Sequence, residues 1–131
     1  MICAVLGLCA TLVGSPSVHD GDTITIQGQA IRLFGIDAEE LDEPNGPRAR
    51  DALRALVRGT NHVRCELTGD RTHDRVVGVC YTAAGEDLSE AMVRGGFALD
   101  CGRYSDHVYR PFEPMAIRRT LKQKPYCRSK P

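Results

Sequence analysis

Residues 20–37 read DGDTITIQGQAIRLFGID, and this stretch decides the fold class. Thr23, Ile24, Thr25 and Ile26 are strand formers set between two turn signals, Asp20-Gly21 and Gln27-Gly28. Ile31, Leu33, Phe34 and Ile36 make a further β-rich run, interrupted by Arg32. Val18 to Ile36 therefore reads as strands broken by turns, and the polar stretch Asp37 to Gly46 as a loop. Outward from this core, Pro47 to Arg58 has Ala49, Ala52, Leu53, Leu56 and Val57 at helical spacing, with Asn45 as a cap and Gly59 as the stop. Its arginines 48, 50, 54 and 58 read as a solvated face. Val63–Leu67 and Val76–Tyr81 read as an antiparallel pair joined by the loop Thr68–Arg75. Asp87 caps a short helix that ends at Gly95-Gly96, Phe97–Leu99 reads as a short strand, and Pro114–Lys124 as a last helix stopped by Pro125. Strands, an inserted helix, then more strands is the order of a mainly β, α+β domain. The plan predicted is a five-stranded closed barrel of OB type with about three helices.

A chain of 131 residues supports one modest domain, and 17 basic against 17 acidic residues give no net charge. That balance argues against a non-specific nucleic-acid packer, which is strongly basic, and leaves room for a turnover enzyme whose cleft carries local charge. Residues 1–17 carry no charged side chain, and Ile2–Val13 is an apolar run of signal-peptide length. The expected organisation is a signal peptide over 1–17 and one domain over 18–131, exported, with a buried first strand as the alternative reading of the run. Six cysteines are present, and Cys3 and Cys9 lie in that run. The other four allow three pairings. A hairpin centred near Thr72 and His73 sets Cys65 opposite Cys80, and a Cys101–Cys127 bridge would pin a tail that otherwise frays. Four reduced buried thiols are the alternative, and the absence of a C-x-x-C pair argues against zinc.

Three clusters carry chemistry: Asp20-Gly21-Asp22-Thr23, the run Arg32 to Glu40, and His73-Asp74-Arg75. Each has an ordinary explanation alone, as a turn, a solvated loop or a salt bridge. Together they place the hard oxygen donors Asp22 and Asp37 near the ends of two strands, where Ca²⁺ or Mg²⁺ is the suited ligand. Arg32 precedes Asp37 by five positions, so on a regular strand the two face opposite ways. Gly35 is where a bend would reunite them.

Asp20 to Thr23, the run Arg32-Leu33-Phe34-Gly35-Ile36-Asp37-Ala38-Glu39-Glu40, then Arg75 and Gly85 to Gly95, in that order, resemble the motifs of the staphylococcal nuclease (thermonuclease) family over about residues 18–99. The resemblance implies an OB-type barrel that hydrolyses DNA and/or RNA to products with 3′-phosphates, with one Ca²⁺. It implies Asp22, Asp37 and the carbonyl of Ala38 as metal ligands, with Asp20 supporting them from behind. Glu40 then activates the attacking water, and Arg32 and Arg75 grip the phosphate. It also implies a monomer without stable membrane association after processing. The chain departs from the pattern at Glu39, which replaces a proline and is a rival base. His73-Asp74 replaces Tyr-Gly, so His73 stands at a substrate-pocket position and Asp74 within reach of an ion pair with Arg75. Two other readings are a non-catalytic OB-type module binding nucleic acid or protein, and an exported accessory protein of polysaccharide biosynthesis. The lack of any tryptophan for sugar stacking counts against the last.

Overall fold

In the computed structural model, which describes residues 10–128, the strands are β1 (Thr11–Gly14), β2 (Ser17–Asp20), β3 (Thr23–Ile26), β4 (Gln29–Leu33), β5 (Ile36–Asp37), β6 (Val63–Thr72), β7 (Arg75–Thr82) and β8 (Leu99–Asp100). The helices are α1 (Gly46–Arg58), α2 (Leu88–Arg94) and α3 (Gly102–Ser105). Six strands form one sheet in the order β1-β6-β7-β4-β3-β2, and β5 pairs with β8. β4 and β7 run parallel, with Arg32 beside Val77. The two edge strands, β1 and β2, are separated in sequence only by Ser15 and Pro16. The sheet must therefore curl until its edges approach, and Pro16, which lacks an N–H, sits where the ladder breaks. This is the OB-like plan, but not the five-stranded closed barrel expected: the first strand is split in two, which makes the sheet six-stranded, and the barrel is left open at that seam.

The core explains the curl. Ile24 and Ile26 of β3, and Ile31 and Leu33 of β4, are fully buried, with Ala49 and Leu53 of α1 and Leu88, Met92 and Val93 of α2 packed around them. Each of the Ile, Leu, Met and Val side chains contributes roughly 1.5–3 kcal/mol relative to exposure. Asp87 caps α2 by accepting from the Ser89 and Glu90 N–H groups.

Residues 1–9, which hold most of the expected signal peptide with Cys3 and Cys9, lie outside the described residues. Thr11–Gly14, however, is a barrel strand paired with β6, so a cut after Ser17 would strip β1 from the sheet and leave β6 as a bare edge.

Two further differences from the sequence reading have local causes. The stretch Thr68–Arg75 continues β6 and β7 rather than forming a loop: Thr72 pairs with Arg75, and the turn is only His73-Asp74, with His73 at φ 56°. A register shift between Leu67 and Arg71 absorbs the difference, and Cys65 still faces Cys80 and is bridged to it. Residues 114–124 hold one 3₁₀ turn, Ile117–Arg119, instead of a helix. Ala116 takes the left-handed conformation at φ 62°, which a right-handed helix excludes. The N–H groups of Lys122 and Lys124 donate to the Glu39 and Asp37 carboxylates rather than to carbonyls four residues back.

Candidate active site

Gly35 makes the site. Between β4 and β5 the chain turns at Phe34-Gly35, with Gly35 at φ 77°, and a β-carbon there would stand 2.9 Å from both Ser105 Cβ and Tyr109 Cε2. The turn reunites Arg32 with the residues that follow it. Arg32 Nη2 donates to the Ile36 carbonyl at 3.2 Å, and lies 3.5 Å from Asp22 Oδ2 and 3.9 Å from Asp37 Oδ1. Asp22 arrives from the turn between β2 and β3, where Asp20 Oδ1 accepts its N–H at 3.1 Å. Asp22 Oδ2 accepts the Ala38 N–H at 3.0 Å. Gly21 permits this approach, since a β-carbon there would meet Ala38 Cβ and Ala49 Cβ at 2.7 Å.

Arg75 opens β7, the parallel neighbour of β4, and its Nη1 donates to Thr23 Oγ1 at 2.9 Å. Thr23 is the cross-strand partner of Arg32. Among the described residues Arg75 makes no ion pair with Asp74. Arg32 and Arg75 line one cleft of about 460 Å³, together with His73, Tyr104 and Tyr126. The sequence-predicted Asp22, Arg32 and Asp37 thus meet within 4 Å, Asp20 stands behind Asp22, and Arg75 and His73 form the cleft wall.

The electrostatics favour a cation. Burial, reinforced by Asp20, pushes the Asp22 carboxyl up to about 6 against the pull of Arg32. Burial also raises Asp37 to about 6, with the Asp22 charge adding to it and the Lys124 N–H opposing. Asp37 Oδ1 is buried with no hydrogen-bond partner among the described residues. Burial works against the Arg32 charge, but Asp22, Tyr126 and Asp37 outweigh it and raise its pKa further. Among the described residues no group of three or more His, Cys, Asp or Glu side chains is gathered for a metal. The oxygen donors gathered here are the Asp22 and Asp37 carboxylates, hard donors of the kind a Ca²⁺ or Mg²⁺ that keeps several waters takes.

These shifts predict a pH dependence. Each carboxyl is raised in the folded chain above its usual 3.8, so the folded state takes up protons between about pH 4 and 6 that the unfolded chain does not. In chelator, lowering the pH from 7 to 5 is expected to raise Tm by roughly 5 °C, and saturating Ca²⁺ should abolish that rise. Calorimetry at both pH values checks this; a Tm that falls in chelator would contradict it.

Glu39 and Glu40 occupy different environments. Glu39 is buried, its Oε1 accepting the Asn45 N–H and its Oε2 the Asn45 Nδ2 and Lys122 N–H groups. Burial pushes its pKa up, but these bonds outweigh it and hold the group below the ordinary range. Asn45, expected as a cap, spends its side chain on Glu39 instead. Glu40 is exposed. Its backbone is gripped by Glu43, through N–H to Oε1 at 2.7 Å and the Glu43 N–H returning to its carbonyl at 2.9 Å. Gly46 packs so closely on that carbonyl that a β-carbon would overlap it. The Glu40 carboxylate takes part in no hydrogen bond or ion pair among the described residues.

Sequence reasoning missed the contacts of Lys122, Lys124 and Tyr126 with the site. Lys124 N–H donates to Asp37 Oδ2 at 2.8 Å and its Nζ to Glu43 Oε1 at 2.7 Å, while Tyr126 OH accepts from Arg32 Nη2 at 3.2 Å. The Cys101–Cys127 bridge is formed. It was also the available signal: Cys101 follows β8, which pairs with β5 and so with Asp37, and anything beside Cys127 is carried to that place.

The staphylococcal nuclease homologue family model matches residues 30–116, about two thirds of the chain. The chain belongs to the staphylococcal nuclease family. The matched stretch takes in Arg32, Asp37, Glu40 and Arg75; Asp20, Asp22 and the segment Lys122–Cys127 lie outside it and reach the site through the fold. The chain is also 34% identical over 109 residues to an uncharacterized endonuclease of Escherichia coli, covering 79% of this chain and 71% of that one. An uncharacterized endonuclease of Escherichia coli O157:H7 matches to the same extent. The succinoglycan biosynthesis protein ExoI of Rhizobium meliloti (strain 1021) is 35% identical over 104 residues, 72% of this chain, and the chain spans about half of ExoI's length (54%).

Proposed function

We propose that the chain is a metal-dependent endonuclease that hydrolyses phosphodiester bonds of DNA and/or RNA and leaves 3′-phosphates. The observation that carries this reading is the placement of two guanidinium groups, Arg32 and Arg75, on one cleft beside the buried pair Asp22 and Asp37. A phosphodiester is an anion and repels a nucleophile until its charge is offset. Two arginines, each able to present several N–H donors, bind the non-bridging oxygens and hold them more tightly as charge accumulates there. Glu40 accepts a proton from the attacking water, the P–O5′ bond breaks, and the departing oxygen takes a proton from solvent, leaving a 3′-phosphate and a 5′-hydroxyl. Asp22, Asp37 and the Ala38 carbonyl would hold one Ca²⁺, which when bound would supply positive charge to offset that of the phosphate. Asp37 Oδ1, buried and accepting no hydrogen bond among the described residues, supports this, as does the mutual repulsion of the two carboxylates.

We infer export from the two disulfides, with any processing cut placed ahead of β1. We also infer a monomer; among the described residues no helix is long and apolar enough to cross a membrane. The ExoI relative favours a second reading, an exported accessory role in polysaccharide synthesis.

Plasmid nicking with Ca²⁺, with Mg²⁺ and with chelator separates these readings. The expected result is cleavage that stops in excess chelator and returns with Ca²⁺. The new ends should be extendable by polymerase only after phosphatase treatment. Full cleavage in chelator would remove the metal assignment, and no cleavage of the plasmid or of an RNA oligonucleotide in any arm would leave the accessory role.

A further inference from the structure

We propose that Tyr126 is a positioning residue for Arg32, delivered to the active site by a C-terminal strap that the Cys101–Cys127 disulfide fastens down; this rests on the nuclease reading above. The strap meets the site at every second residue. Lys122 N–H donates to Glu39 Oε2 at 3.0 Å, Lys124 N–H to Asp37 Oδ2 at 2.8 Å, and Tyr126 OH accepts from Arg32 Nη2 at 3.2 Å. No ladder holds this segment. Beyond Thr120 its only regular element is the 3₁₀ turn Pro125–Cys127, and the contacts that fix it are those bonds, the Lys124–Glu43 ion pair, the Gln123 bonds to Asp100 and Arg118, and the bridge. Leu121 is also buried, and the bridge is the covalent restraint directly beside Tyr126, so cutting it frees the end of the strap that carries the phenol.

What Tyr126 does there follows from the donors of arginine. Nη2 carries two N–H groups, and both have acceptors, the Ile36 carbonyl at 3.2 Å and the Tyr126 oxygen at 3.2 Å. The Tyr126 ring also lies 5.9 Å from Arg32 Cζ, within range of a cation–π attraction. The remaining donors, on Nε and Nη1, have no hydrogen-bond partner among the described residues and are left for an anion in the cleft. Without the Tyr126 contacts, one side of the fork is free to swing toward Asp22 and Asp37, whose oxygens lie 3.5 and 3.9 Å from Nη2. A guanidinium collapsed onto its own carboxylates presents less charge to the phosphate. A misplacement of about 1 Å at a reacting group is worth roughly 10²-fold in rate.

The test uses the full oxidised chain below its melting temperature, on a defined oligonucleotide with Ca²⁺. Tyr126→Phe keeps the ring and loses the hydroxyl; it is expected to lower kcat roughly tenfold with KM within about threefold. Tyr126→Ala should lose roughly 10²-fold, and so should the double variant Cys101→Ser/Cys127→Ser, which keeps Tyr126 but frees the strap. Cys65→Ser/Cys80→Ser removes the hairpin bridge and should lower Tm while leaving kcat near wild type. The Arg32 Nε–Hε resonance in ¹H–¹⁵N spectra, assigned by its loss in Arg32→Lys, gives a readout independent of turnover and should broaden or shift in Tyr126→Phe. A wild-type kcat in Tyr126→Phe, with or without a change in that resonance, overturns the positioning role alone. So does an equal loss of kcat in both cysteine pairs, which would make the effect one of general stability. A wild-type chain that cleaves nothing overturns the nuclease reading itself, and the positioning role with it.

Discussion

Lysine in place of Arg32 is expected to lower kcat by roughly 10²-fold or more while KM moves by only a few-fold, and the same substitution at Arg75 should act in the same direction. Both changes keep the positive charge, so what is lost is the fork. At Arg32 one nitrogen already binds the Ile36 carbonyl and the Tyr126 hydroxyl while the other two keep their donors for a ligand. A lysine ammonium is a single point on a flexible stem and cannot keep both the anchoring bonds and a phosphate contact. At Arg75 the anchor is Thr23 Oγ1, which itself donates to Asp22 Oδ1 at 3.3 Å. Losing it loosens the chain of bonds between the two arginines. Because a lysine at 32 still sets a cation near Asp22 and Asp37, thermal stability should change far less than rate. Steady-state kinetics on one oligonucleotide, read beside calorimetry, decides the matter. A change confined to KM would show that these arginines bind the ground state and contribute nothing further to the transition state.

The parts of this site that were legible in the sequence are those where one local feature has few structural outcomes. Gly35 after a strand leaves few ways for the chain to go on, and its turn is what brings Arg32 to Asp37. Cys65 and Cys80 face each other because an antiparallel pair with alternating side chains fixes its own register once both strands are found. Strands β2, β3, β4, β6 and β7 and helices α1 and α2 follow from periodicity that burial then enforces. The tail was not legible for the opposite reason. The spacing in 114–124 suits a helix, but the buried carboxylates of Glu39 and Asp37, more than 80 positions away, take its N–H groups. Charge-assisted bonds of that kind outweigh the few tenths of a kcal/mol per residue by which helix propensities differ. The first strand was hidden differently: Thr11–Gly14 lies in the uncharged stretch 1–17, whose pattern serves a leader or a strand equally well, and its partner strand β6 is about fifty positions away. Asn45 has the right chemistry for a cap and a better use for it in Glu39.

Glu40→Gln and Glu39→Gln should fail in opposite ways. Glu40 is exposed, its backbone held by Glu43 and by the close approach of Gly46, and its carboxylate is uncommitted among the described residues. Replacing it by an amide removes a proton acceptor and disturbs no bond that the fold uses. The expected loss in kcat is roughly 10² to 10⁴-fold, the range for a general base. Stability should stay within about 0.5 kcal/mol of wild type. Glu39 is buried, and its two oxygens serve three N–H donors, two from Asn45 and one from Lys122. A glutamine there offers one oxygen and turns an NH₂ group toward a donor, leaving buried N–H groups without acceptors at a cost of about 2–4 kcal/mol. For a domain of this size that is a fall in Tm of roughly 10 °C. The damage is to the loop's anchorage and to the seat of the strap, so turnover measured well below the melting temperature should remain within about tenfold of wild type. Glu39→Pro, which restores the family residue, gives up the same three bonds, so it should destabilise the chain here despite the stiffer backbone. Kinetics and calorimetry on the two glutamine variants separate the roles. If Glu39→Gln lost its rate at an unchanged Tm while Glu40→Gln kept its rate, the buried carboxylate would be the base, and the register of the loop from Ala38 to Gly46 would have to be reassigned.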